Sequence, residues 1–153
     1  MIVPAEGDFR LGRQADTERL GAAIAGTLEK AEAVCLTGPL GAGKSVLARA
    51  LIRALCPGER DVPSPTFTLV QFYDGPAFRI GHFDLYRLAS ASEAFEIGLD
   101  EALEDGAAVI EWAERLGHHL PADRLDVEIL IDEDQRYARL NPHGVWEGRS
   151  LDL

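Results

Sequence analysis

Residues 38 to 45 read Gly38-Pro39-Leu40-Gly41-Ala42-Gly43-Lys44-Ser45. They match the pattern G-x-x-x-x-G-K-[ST] at every fixed position. This motif works only between a buried strand and the first turn of a helix, so it constrains the local fold tightly. Both flanks comply. Ala33-Val34-Cys35-Leu36 is an apolar run suited to a buried strand. Val46, Leu47, Ala50, Leu51, Ala54 and Leu55 recur at helical spacing, and Cys56-Pro57-Gly58 ends the helix. Glycines let such a loop wrap closely around phosphate oxygens with its N–H groups pointing inward. The helix start adds the positive end of its dipole. Lys44 has the reach for β- and γ-phosphates, and the Ser45 hydroxyl suits Mg²⁺. Each residue from Gly38 to Ser45 is therefore a candidate nucleotide contact.

Composition narrows the setting. At 153 residues the natural count is one domain, with enough length for a proper core. Hydrophobic residues make up 46% and charged residues 27%, as in ordinary soluble globular proteins. No apolar run approaches membrane-spanning length. Met1 to Glu6 lacks a basic region followed by an apolar stretch. The expectation is a cytoplasmic protein with no membrane role. Cys35 and Cys56 form no Cys-x-x-Cys pair, which argues against structural zinc. The net charge of −11 argues against autonomous nucleic-acid binding, whose affinity comes from neutralising phosphates. Work on RNA would go through a basic partner. The acidic stretch Glu96 to Asp105 reads as a solvated helix face ahead of a docking surface.

Along the chain, Phe9-Arg10-Leu11 suits a short first strand, and Asp16 or Thr17 can cap a helix running to about Lys30. Asp61-Val62-Pro63-Ser64-Pro65 is a proline-stiffened loop. Thr66 to Phe72 and Phe78 to Phe83 read as an antiparallel hairpin around Tyr73-Asp74-Gly75-Pro76. Ser90 to Leu103 is helical with a break near Gly98, and Ala107 to Ile110 is a short buried strand. A brief helix to Leu120 follows. Leu125 to Ile131 and Arg136 to Leu140 pair across Asp132-Glu133-Asp134. The fold class is α/β: a P-loop NTPase domain with a mixed central sheet and helices on both faces.

A P-loop needs a carboxylate near Mg²⁺, usually at the end of an apolar strand. Asp84 ends the Phe78 strand within His82-Phe83-Asp84-Leu85-Tyr86-Arg87, and Glu111 directly follows Ala107-Ala108-Val109-Ile110. Both are candidate metal and catalytic residues. Ser64-Pro65-Thr66-Phe67-Thr68 offers hydroxyls where P-loop enzymes often place a segment that senses the γ-phosphate. Taken alone, this segment reads as a turn and strand start, Trp112 as a core aromatic and His82 as a packed strand residue. His118, His119 and His143 make no triad or metal set.

Taken together, the P-loop, Ser64-Pro65-Thr66-Phe67-Thr68-Leu69-Val70, His82-Phe83-Asp84-Leu85-Tyr86-Arg87-Leu88 and Glu111-Trp112 closely resemble the bacterial TsaE (YjeE) family in order and spacing. The likeness runs from about Thr17 to the final hairpin. It implies a small ATPase of the pathway that installs N6-threonylcarbamoyladenosine at position 37 of tRNAs reading ANN codons. It further implies Lys44 on the phosphates of ATP or ADP, and Ser45 on Mg²⁺ where the family usually has threonine. Asp84 would be a carboxylate needed for hydrolysis, Glu111 the second carboxylate at the metal, and Trp112 a tryptophan important for activity. Thr66 and Thr68 would lie in a switch-like segment. Adenine contacts would come from about Arg13 to Thr17 and from near Arg136. The implied partners are the TsaD and TsaB proteins, with tRNA met only through that complex.

Other functions stay in view. A small-molecule kinase needs an acceptor pocket and usually an Arg-rich lid, for which no segment is evident. A GTPase lacks its Asn-Lys-x-Asp motif here. A nucleotide-gated adaptor would bind ATP without needing hydrolysis. No arginine is evident in the sequence as an internal finger, which suggests a slow ATPase that partners stimulate. The sequence leaves open whether Asp84 or Glu111 orients the attacking water.

Overall fold

One strand organises the molecule. In β3 (Ala33–Thr37), Val34 and Leu36 face one side of a sheet while Ala33 and Cys35 face the other, and all four are buried. A strand apolar on both sides belongs in the middle of a sheet covered on both faces. The computed structural model, which describes residues 1–39, 41–59, 61–63, 65 and 68–153, has that arrangement.

The chain runs β1 (Ile2–Pro4), β2 (Gly7–Arg10), α1 (Gln14–Ala25), β3, α2 (Lys44–Leu55), β4 (Val70–Asp74) and β5 (Arg79–Asp84). It continues through α3 (Ser92–Glu96), α4 (Leu99–Asp105), β6 (Gly106–Glu111), a 3₁₀ segment (Ala113–His119), β7 (Arg124–Asp132), β8 (Gln135–His143) and β9 (Ser150–Asp152). Among the described residues, seven strands form one sheet in the order β2-β8-β7-β3-β6-β5-β4. β3 is parallel to both neighbours, β6 and β7, and β5 is parallel to β6. β4, β8 and β2 pair antiparallel with β5, β7 and β8. The sheet is mixed, as expected.

Two apolar layers hold it. Leu20 and Ile24 of α1 and Leu47, Leu51 and Ile52 of α2 pack with Val34, Leu36, Val109, Val127 and Ile129 on one face. Phe83, Leu85, Leu99, Leu116 and Ile110 fill the other face. Each such fully buried side chain contributes about 1.5–3 kcal/mol. The first layer therefore holds α2, which carries the loop's end, against the sheet centre.

Several boundaries move from the sequence expectation. α1 ends at Ala25 instead of near Lys30, although Leu28 stays buried. It also begins earlier, at Gln14. Asp16 caps it from inside the first turn, accepting the Arg13 N–H at 2.9 Å. β4 starts at Val70 and runs through Asp74, into the expected turn, while Thr68 and Leu69 lie outside the strand and Ser64, Thr66 and Phe67 lie outside the described residues. The first strand of the large sheet is Gly7–Arg10. β1 and β9 pair in a separate two-stranded sheet that the sequence reading missed. Strands of three residues carry too little alternation to be seen. No helix among the described residues is long and apolar enough to cross a membrane.

Candidate functional site

Parallel strands put equivalent ends on one edge. Register pairs Leu36 and Asp84 each with Glu111, so β3, β5 and β6 all finish beside the loop that begins at Gly38. Ligands of open α/β sheets sit at this carboxyl edge. Gly38 has φ 133°, and a Cβ there would lie 2.6 Å from the Ile129 carbonyl, so the chain can pass β7 only without a side chain. Gly43, at φ 107°, turns the chain into α2, and Lys44 is the first helical residue. Pro39, Gly41 and Ala42 complete the described loop, with Ala42 donating its N–H to the Pro39 carbonyl at 3.2 Å. Leu40, also expected to touch nucleotide, lies outside the described residues, as does Thr66.

Lys44 is 5% exposed and folds back over its own loop. Its Nζ donates to the Gly38 carbonyl and to that of Pro39, the latter at 2.9 Å. The ammonium also sits 4.1 Å from the centre of the Trp112 ring. Burial pulls the Lys44 pKa below the ordinary lysine value, and the nearby Glu114, Glu111 and Asp84 charges pull it partly back up.

A chain of hydrogen bonds joins three elements at the helix start. The Ser45 hydroxyl donates to Glu111 Oε1 at 2.9 Å. Glu111 Oε2 lies 2.6 Å from Nε2 of His82. Glu111 is 2% exposed and His82 is 0% exposed. His82 was expected only to pack; it packs and also binds the candidate carboxylate. A signal for this was available. Residues two apart on a strand share a face, so His82 had to point the same way as Asp84. The link to Glu111 also required knowing that β5 lies beside β6.

Asp84 is also buried, and its Oδ1 accepts the Tyr86 N–H at 3.1 Å. Its own N–H donates to the Leu69 carbonyl at 2.9 Å, tying the strand end to the segment after Pro65. Trp112 follows Glu111 at φ 58° and ψ 42°. A bulky residue in this left-handed region costs about 1–2 kcal/mol. The turn aims the indole at Lys44 and against Tyr86, whose ring centre is 4.8 Å away.

These side chains share one cavity of about 420 Å³. Gly41, Gly43, Lys44, Ser45, Asp84, Tyr86, Arg87, Glu111, Trp112 and Arg136 are among its lining residues. Arg136 also donates to the Gly41 carbonyl at 3.3 Å. Arg136, expected near the nucleotide, reaches the phosphate loop at Gly41, and Arg87 lines the same cavity. A second cavity of about 310 Å³ adjoins it across Gly43, Val46 and Arg136. Its walls are Arg10 to Gln14 and Thr17 on one side and Asp134 to Arg136 on the other. The two-residue hairpin turn at Glu133 and Asp134, both at positive φ, delivers that second wall.

The donor set suits a hard cation. Ser45, Asp84 and Glu111 offer oxygens only, and Mg²⁺ is usually bound by one or two carboxylates completed by phosphates and water. Among the described residues, no group of three or more His, Cys, Asp or Glu side chains is arranged to hold a metal unaided. A glycine-rich loop at a helix start, a lysine and a pair of register-matched carboxylates can bind a polyphosphate and stabilise charge during phosphoryl transfer.

Known proteins share the sequence and the fold of this chain. The family model described as threonylcarbamoyl adenosine biosynthesis protein TsaE matches residues 11–139. The tRNA threonylcarbamoyladenosine biosynthesis protein TsaE of Rickettsia bellii is 40% identical over 131 residues, covering 85% of this chain and 91% of that protein. The protein of the same name from Aquifex aeolicus is 38% identical over 132 residues, covering 85% and 92%. The crystal structure of Bacillus subtilis YdiB superposes with a TM-score of 0.74 at 26% identity, covering 94% of this chain and 88% of that one. The chain belongs to the TsaE family.

Proposed function

We propose that this chain is a Mg²⁺-dependent ATP-binding protein and slow ATPase that serves threonylcarbamoyladenosine modification of tRNAs reading ANN codons, working in the cytoplasm with the TsaD–TsaB complex. The observation that carries the ATPase part is the convergence of Lys44, Ser45, Asp84 and Glu111 on a single cavity at the phosphate loop. The tRNA pathway comes from the family and from the names of its relatives.

In this reading, loop N–H groups and Lys44 take the β- and γ-phosphates. Lys44 leaves the Gly38 and Pro39 carbonyls, exchanging two neutral acceptors for charged ones, which bond about twice as strongly. Ser45, Asp84 and Glu111 would hold Mg²⁺, which when bound neutralises phosphate charge. Asp84 or Glu111 orients water for in-line attack, and Trp112 closes the wall behind Lys44. Adenine would lie in the adjoining cavity between Arg13 to Thr17 and Arg136. The acidic chain leaves tRNA to its partners, consistent with its net charge of −11.

Arg87 and Arg136 line the same cavity, and stimulation by the partner pair remains part of this reading. Reconstitution with TsaD–TsaB and tRNA tests the point. Inorganic phosphate should be the product from the γ-position, turnover should rise with the partner pair, and modified tRNA should accumulate over many turnovers. Equal ATP turnover with and without the pair would overturn the coupling. Phosphate transfer to a small acceptor would overturn the ATPase reading.

A further inference from the structure

We infer that His82 is a positioning residue for Glu111, holding one carboxylate oxygen so that the other is presented to Ser45 and the phosphate cavity; this rests on the nucleotide-and-metal reading above. His82 sits in the interior of β5, flanked across the sheet by β4 and β6, and is 0% exposed. An apolar residue would fill this space without burying polar atoms. The imidazole instead buries two nitrogens. Nε2 meets Glu111 Oε2 at 2.6 Å, while Nδ1 has no hydrogen-bond partner among the described residues.

The chemistry assigns the proton. An ionised carboxylate only accepts, so Nε2 carries the hydrogen. The short charge-assisted bond offsets the burial of a half-satisfied ring. Its consequence lies on the far side of the carboxylate. With Oε2 held by β5 and Oε1 accepting from Ser45 of α2, the Glu111 side chain is fixed at both oxygens. Ser45 and Glu111 are the donors expected on Mg²⁺. Such partners of metal-side groups orient them and strengthen binding. Without His82, Oε2 would lose this partner, and the carboxylate would be free to turn away from Ser45.

Two substitutions separate positioning from packing. His82→Gln keeps an N–H donor as many bonds from Cα as Nε2, whereas His82→Asn moves the donor to the Nδ1 distance. ADP binding is measured by calorimetry in Mg²⁺ and in EDTA, with urea unfolding as the stability control. His82→Asn should lose about tenfold or more of the Mg²⁺-dependent gain in affinity, with affinity in EDTA within about twofold of wild type. His82→Gln should recover most of the gain. In steady-state hydrolysis, kcat should fall more than KM rises. In a Glu111→Gln background, His82→Asn should add little, because the group it orients is already altered. A full Mg²⁺-dependent gain in His82→Asn overturns the inference, as does equal loss in Gln and Asn variants that tracks stability. Wild-type protein with no Mg²⁺-dependent gain overturns the parent reading and this inference together.

Discussion

The two cavities flanking Gly43 are built on opposite plans. On one side Ser45, Glu111 and His82 form a buried hydrogen-bonded chain across α2, β6 and β5, with Asp84 beside it. On the other, Arg10 to Gln14 and Asp134 to Arg136 are mostly exposed residues at a helix entry and a hairpin tip. The difference teaches where geometry is rigid. Buried carboxylates stay in place because turning away would give up hydrogen bonds that few other groups there could replace. Exposed arginines can exchange partners with water at little cost. Substitutions should therefore act sharply on the first side and mildly on the second.

The largest effect is expected from Glu111→Gln. Turnover should drop by about 10²–10³, the size typical of losing one electrostatic group in a reacting site. ADP affinity in EDTA should hold near wild type. Unchanged turnover in a phosphate-release assay would place the chemistry elsewhere. Lys44→Ala comes next. Losing a charge-assisted contact costs about 1.5–3 kcal/mol, or roughly ten- to over a hundredfold in nucleotide affinity. Unaltered affinity by calorimetry would mean that the loop is not the site.

Alkaline pH gives a gentler probe of the buried side. Burial sets the Lys44 pKa below the ordinary 10.5. Phosphate favours the protonated amine, so affinity should be full at neutral pH and fall as pH rises through that lowered value, before 10.5. In the same window the nucleotide-free fold binds fewer protons than the unfolded chain, so its stability should rise with pH. Lys44→Arg, which keeps its charge throughout, should flatten the affinity profile. The smallest effect belongs to the open side. Arg136→Ala removes a 3.3 Å bond from an exposed side chain to Gly41. It should weaken nucleotide binding by about fivefold or less and leave stability within about 0.5 kcal/mol. A hundredfold loss would make this side as exacting as the other.

Most of the element order could be read before the structure, because periodicity is a local property. The apolar run of Ala33 to Leu36, the helical spacing from Val46 to Leu55 and the Gly98 break all survive in the fold. Boundaries survived less well. Asp16 and Thr17 both suit a cap by residue type, yet Asp16 caps from the third helical residue, a difference decided by Arg13 taking extended φ/ψ. β4 was placed too early, and Leu69, just before it, sits at φ 67°, a conformation that no propensity scale would assign to leucine. His82 was underestimated for a different reason. Its partner lies 29 positions away and comes within reach only when β5 pairs with β6.

The sequence by itself determined the phosphate loop, its strand and helix, and two strand-end acids, since each depends on residue types at short spacing. Tertiary structure alone decided that β6 lies between β3 and β5, which brings Asp84 and Glu111 to the cavity of Ser45 and His82 onto Glu111. It also decided that Arg136 crosses to Gly41. The physical reason is that strand order follows from burying two apolar layers at once, a condition on the whole chain that no local pattern expresses.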